Sequence, residues 1–179
     1  MRLGLTFLLG ACFLASNAYT KEAINFPREV VEIFAAFCVE NAGRPDKTEA
    51  LAVMDGLKEL DKNTLKALGP QDPPISSQGW IVLNEPELKV LVATSITRVN
   101  SKKVSTCSVA GNSVFGDDVL KELSALGDLG HVKSDQETFG GRIIAWEVAI
   151  LGEISRLMLS FPTRHNTPGV TIGLITEID

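Results

Sequence analysis

The run RIIAWEVAILGEISRLMLSF, residues 142–161, satisfies two periods at once. At helical spacing Ile144, Val148, Leu151, Ile154 and Met158 fall near one side. At strand spacing Ile144, Trp146, Val148 and Ile150 align, then Ser155, Leu157, Leu159 and Phe161, with Leu151-Gly152 between them as a turn. A glycine inside a helix costs about 1 kcal/mol relative to alanine, and β-branched residues favour strands. The segment is therefore read as a hairpin. A further β-rich run, Val170–Thr176, needs a partner and finds one there.

Working back from the hairpin, Gly79–Asn84, Leu88–Val99 and Lys103–Val109 read as three strands of a meander, with turns at Glu85-Pro86 and Asn100-Ser101. In the middle strand Leu88, Val90, Val92 and Ile96 share one face. Lys89, Ser95 and Thr97 share the other, with Leu91 and Ala93 as apolar exceptions. One buried and one mostly wet face is the pattern of an antiparallel sheet covered on one side.

The helices read as follows. Pro27 suits a first turn, where its missing N–H costs nothing. Val30, Ile33, Phe34, Phe37, Cys38 and Asn41 then recur at three- and four-residue spacing, and Asn41 and Gly43 supply a stop. Core packing explains this stripe more simply than a partner-binding face. Asp46 and Glu49 form a capping box for a second helix with Ala50, Leu51, Met54 and Leu57 on its face. Asp117-Asp118 open a third, whose apolar side is Val119, Leu120, Leu123 and Leu126 and whose end is Gly127. Two acids in a first turn serve the helix dipole. Residues 67–80, with three prolines and two glycines, and residues 127–141 are read as connections. The expected fold class is α+β: two N-terminal helices, an antiparallel sheet of five to six strands, and one helix inserted between two β-meanders.

The first residues stand apart. Arg2 precedes an apolar run from Leu3 to Ala15, and Ser16-Asn17-Ala18 places small residues at −3 and −1 of a cut after Ala18. This is a signal-peptide pattern over residues 1–18, leaving 19–179 as a single domain. The run of about 13 residues is shorter than the roughly 20 a membrane-spanning helix needs. Leu9-Gly10-Ala11-Cys12 offers a minor alternative, a lipobox with Cys12 as the lipidated residue, but the apolar stretch continues through Phe13 and Leu14. Export to the periplasm or medium is the expectation.

Removing Arg2 from the 17 Lys and Arg leaves 16 against 22 Asp and Glu. An acidic chain with no basic cluster beyond Lys102-Lys103 is unsuited to displacing counterions from nucleic-acid phosphate. Apolar residues make up 45% of the chain and no low-complexity tract interrupts it, so an ordered globule is expected.

Two cysteines, Cys38 and Cys107, remain after cleavage. In an oxidising compartment an even pair is most simply a disulfide. Cys38 lies on the apolar stripe of the first helix, and Cys107 points the same way as Val109 on its strand, so the bond would pin helix to sheet. A catalytic thiol would need a neighbouring base or helix N-terminus, and His131 and His165 both fall in expected loops. Asp128, His131 and Asp135 with Asp117-Asp118 are a poor match to zinc-ligand spacing, so no metal site is expected. No G-x-S-x-G, G-x-G-x-x-G or P-loop is present, and no cofactor is expected.

The ordered layout of a helix cysteine, Gly79-Trp80 leading into the sheet, Cys107-Ser108-Val109, and Trp146 to Gly152 in a closing hairpin resembles small exported proteins of unassigned function from Gram-negative bacteria. The resemblance implies an exported location and one helix-to-sheet disulfide, and carries over no active site.

The functional expectation is a non-enzymatic binding domain for a small amphiphile or peptide, with Trp80, Val90, Val92, Trp146 and Leu157 as candidate walls of its cleft. The alternative is a protein-interaction module (an inhibitor, immunity or envelope-assembly factor) using acidic loops against a basic partner. An enzyme would require a polar cleft gathering His131, Asp117 and Asp118.

Overall fold

A computed structural model describes residues 25–68, 74–127, 129–138, 140–164 and 167–178. The expected signal peptide and lipobox, Asp128 and His165 lie outside the described residues. Helix α1 spans Phe26–Phe34 and continues as a π-helical turn over Ala35–Val39. There follow α2 (Pro45–Met54), β1 (Lys58–Glu59), α3 (Lys62–Leu68), β2 (Ser76–Asn84), β3 (Lys89–Val99), β4 (Lys102–Gly111) and α4 (Gly116–Ala125). The chain then forms β5 (His131–Thr138), β6 (Gly141–Ile150), β7 (Glu153–Pro162) and β8 (Val170–Ile178). All eight strands make one antiparallel sheet in the order β1-β2-β3-β4-β8-β7-β6-β5.

The α+β class and the hairpin of residues 142–161 stand. Leu151 and Gly152 form its turn with φ of 49° and 86°, left-handed values that Gly152 adopts without steric cost. The strand count does not stand: the described residues form eight, not five or six. The missed β1 is two residues long, too short for a period. The missed β5, HVKSDQET, is an edge strand whose side chains meet water on both faces, so it shows no apolar alternation. It pairs with β6 from His131↔Glu147 to Thr138↔Gly141.

Helix α3 was not expected from sequence; it ends at Leu68, just inside the stretch read as connection. Asp61 caps it, accepting from the Asn63 and Thr64 amides and the Thr64 hydroxyl. The capping box in α2 is likewise replaced: Arg44 occupies the N-cap, and Pro45 starts the helix. Glu49 accepts instead from Gln78 Nε2 on β2 at 3.0 Å. The buried side of α2 is Thr48 and Ala52, while Ala50 and Met54 face solvent. Leu126, expected on the apolar side of α4, is exposed as well.

Pairing register puts large apolar residues in rows on one face. Val92, Val109, Ile172, Leu159 and Ile144 line up across β3, β4, β8, β7 and β6. The next row is Thr94, Cys107, Leu174, Leu157 and Trp146. Helices α1, α2 and α4 cover this face, contributing Val30, Val31, Phe34, Phe37, Ala52, Val119 and Leu123 to a single core. Their apolar burial is the main stabilising term of the fold, at about 25 cal/mol per Å².

The π-helical turn fits α1 to the sheet. Glu40 N–H reaches back to Ala35 O at 3.0 Å, which widens the last turn. Phe37 O is thereby free of its helical partner and accepts from Asn41 Nδ2 at 3.1 Å and Thr48 Oγ1 at 2.9 Å. Cys38 is bonded to Cys107, with Cα atoms 5.5 Å apart. Ala42 and Gly43 then turn the chain at φ of 51° and 66°. The carbonyls exposed by that turn are taken by sheet hydroxyls: Ser105 Oγ donates to Gly43 O, and Thr176 Oγ1 to Ala42 O.

Candidate functional site

The opposite face of the sheet is built from the alternate residues of the same strands. Leu91, Ala110, Thr171 and Ser160 form one row across β3, β4, β8 and β7; Ala93, Ser108, Gly173 and Met158 form the next; Ser95, Thr106 and Ile175 follow. Small side chains run down the middle, with Leu91, Met158 and Ile175 beside them. The result is a trough rather than a second core.

Helix α3 closes one end of it. Gly79 permits the approach, since a Cβ there would stand 2.8 Å from Leu60 Cδ1 and 3.0 Å from Leu65 Cδ1. Leu65, Ala93, Ser95, Met158 and Ile175 border a groove of about 270 Å³. Toward the other end the face opens into a wider groove of about 600 Å³, bordered by Lys89, Leu91, Ala110, Asn112, Gly141 and Gly169. Ser160 and Thr171 border both, so the two grooves adjoin. Ligand sites commonly span 300–1,000 Å³ and are mainly apolar with a few placed polar groups. Ser95 is such a group, only 7% exposed and on the border of the smaller groove.

The five walls expected from sequence lie elsewhere. Trp80, Val90, Val92, Trp146 and Leu157 are all at most 5% exposed and belong to the core beneath the helices. None of them borders the trough. The residues that do include Leu91 and Ala93, the two apolar exceptions on the wet face of β3. That departure from alternation was the available signal.

A separate polar cleft of about 610 Å³ lies at the N-terminus of α4, bordered by Asp117, Asp118, Glu137, Arg142, Phe161 and Arg164. Arg142 is held there by two parallel bonds to Asp135, Nε to Oδ1 at 2.9 Å and Nη2 to Oδ2 at 2.8 Å. Its Nη1 is 3.9 Å from Asp117 Oδ1, and the guanidinium lies 6.0 Å from the centre of the Phe161 ring. The Arg142 hydrogen bond and charge hold the Asp135 carboxyl below the usual carboxylate range, and Asp135 in turn raises the Arg142 guanidinium. The arrangement clasps α4 to β5 and β6. His131 is on β5 opposite Glu147 and does not border this cleft. Among the described residues no three His, Cys, Asp or Glu side chains gather as a metal-ion site.

Comparison with protein-family models, with curated proteins and with solved structures finds no match to this chain. Of what the resemblance to small exported Gram-negative proteins implied, the structure carries the helix-to-sheet disulfide, Cys38–Cys107. Among the described residues no helix is long and apolar enough to cross a membrane.

Proposed function

We propose that this chain is an exported binding domain that takes a small amphiphile in the trough on the sheet face opposite α1, α2 and α4. The observation that carries the reading is the pair of adjoining grooves from Leu65 to Gly169, mainly apolar, with the hydroxyl residues Ser95, Ser108, Ser160 and Thr171 placed along them. A sheet face with no ligand role would be expected to expose charged residues there, as β5 does. Export to the periplasm or medium is supported by the cleavage pattern ending at Ala18 and by the buried Cys38–Cys107 bond.

The second reading, a protein-interaction module, has its own support. Leu151 and Ile154 stand 74% and 73% exposed at the tip of the β6–β7 hairpin. An apolar tip of that kind is suited to burial against a partner.

The test is titration with the neutral fluorescent amphiphile N-phenyl-1-naphthylamine. Thr171 is exposed and borders both grooves, so Thr171→Trp fills the trough without crowding the core. Saturable binding by the wild-type protein, lost in Thr171→Trp, is expected. No binding, or equal binding by the variant, overturns the reading.

A further inference from the structure

The charges around the trough are unusual for this chain. Acidic residues outnumber basic ones by 22 to 17, yet among the described residues no carboxylate borders either groove. Among the described residues the one charged side chain that does is Lys89, at the open end. It is exposed and makes no ion pair among the described residues.

Asn112 adds a second donor beside it. Its Oδ1 accepts from the Lys89 backbone N–H at 2.8 Å and from Ser113 Oγ at 3.1 Å. Those bonds fix the amide with its Nδ2 left over, and Nδ2 makes no hydrogen bond among the described residues. The open end therefore presents an ammonium and an amide N–H₂, both lacking an acceptor. From Lys89 the same face of β3 runs through Leu91 and Ala93 to Ser95, about 20 Å at a strand rise of roughly 3.3 Å per residue. The path narrows from the wide groove to the smaller one and ends against Leu65, Met158 and Ile175.

We propose that the occupant is a single-chain amphiphile with a carboxylate head, the head held by Lys89 and Asn112 and the chain lying along Leu91 and Ala93 toward Leu65. This rests on the trough being the binding site and adds the class of ligand and its direction. Two donors facing one opening suit a monoanion, and a narrowing apolar path suits an unbranched chain. Each methylene buried is expected to tighten binding about fourfold, so affinity rises with chain length until the closed end is reached.

Calorimetric titration of the full chain with decanoate and with decanol tests the head. Decanoate is expected to bind the wild-type protein more tightly than decanol. An exposed ion pair contributes up to about 1 kcal/mol, so Lys89→Met is expected to weaken decanoate about fivefold, and Lys89→Glu further, with decanol unaffected. N-phenyl-1-naphthylamine is titrated into both variants alongside, and the head is assigned from the loss of decanoate affinity beyond any loss for the neutral probe. If decanoate is insensitive to both substitutions, or decanol matches it, while the neutral probe still binds, the placement of the head is wrong and the trough remains. If the neutral probe does not bind the wild-type protein either, both readings fall.

Discussion

Cys38 on the π-helical turn and Cys107 on β4 are bonded with neither residue exposed to solvent. The bond closes a loop across a sequence separation of 69 residues, and loop-closure entropy assigns such a cross-link about 4 kcal/mol. Phe37, Thr48 and Leu174 pack around it. Reductant must therefore wait for the fold to open. The expected outcome is that dithiothreitol reduces the native protein at its unfolding rate, accelerated by urea, and that the Cys38→Ala/Cys107→Ala protein unfolds at a markedly lower urea midpoint. Rapid reduction in the absence of denaturant would show that α1 lifts from the sheet on its own.

Gly116 begins α4 where Phe161 of β7 crosses it, and a Cβ at Gly116 would stand 1.9 Å from Phe161 Cγ. Overpacking of this kind costs about 1–3 kcal/mol or more. Gly116→Ala is expected to destabilise the protein by that amount, and Phe161→Leu to be less harmful in the Gly116→Ala background than alone. Additive effects in the double-mutant cycle would place the strain elsewhere.

The Asp135–Arg142 clasp gives a pH dependence with a defined sign. The folded carboxyl is held below its ordinary value, so its contribution is complete above the unfolded carboxylate range, about pH 4. It is lost as pH falls through the depressed folded value, because the unfolded chain then binds the proton first. Asp135→Asn is expected to flatten the acid side of the stability curve and leave its shape near neutrality unchanged. Urea midpoints of both proteins between pH 2 and pH 6 are the measurement, and parallel curves would contradict it.

Ser105 and Gly43 make a buried bond between β4 and the turn after α1. Ser105→Ala leaves the Gly43 carbonyl without its donor, for which about 1–3 kcal/mol is expected. Thr48→Val, which removes the donor to Phe37 O, should act similarly but loosen the π-helical turn as well. Faster amide exchange at Glu40 and Gly43 in the Thr48 variant, but at Gly43 alone in the Ser105 variant, would separate the two effects.

Elements with a strong local signal were legible. Pro27 and the Val30–Phe37 stripe mark α1, Gly152 splits residues 142–161 into β6 and β7, and Asp117-Asp118 open α4 as expected. Elements without one were not: β5 is polar on both faces, β1 has two residues, and α3 has only seven residues. The five residues expected to line a cleft lie in the core for a related reason. Trp80, Val92 and Trp146 carry the strongest apolar signal, and that signal sends them into the core, while the trough is built from Ala93, Ser108 and Gly173, which carry almost none.

Residue order alone determined the class of the fold, its cysteine pair and the hairpin, because these depend on neighbours a few positions apart or on a count of two thiols. Tertiary structure decided the order of strands, with β8 seated between β4 and β7 so that the two meanders share one sheet. It also decided which face of β3 is covered. Alternation divides a strand into two sides, but only the docking of α1, α2 and α4 by apolar burial makes one side core, and only α3 at Gly79 closes the other into a groove.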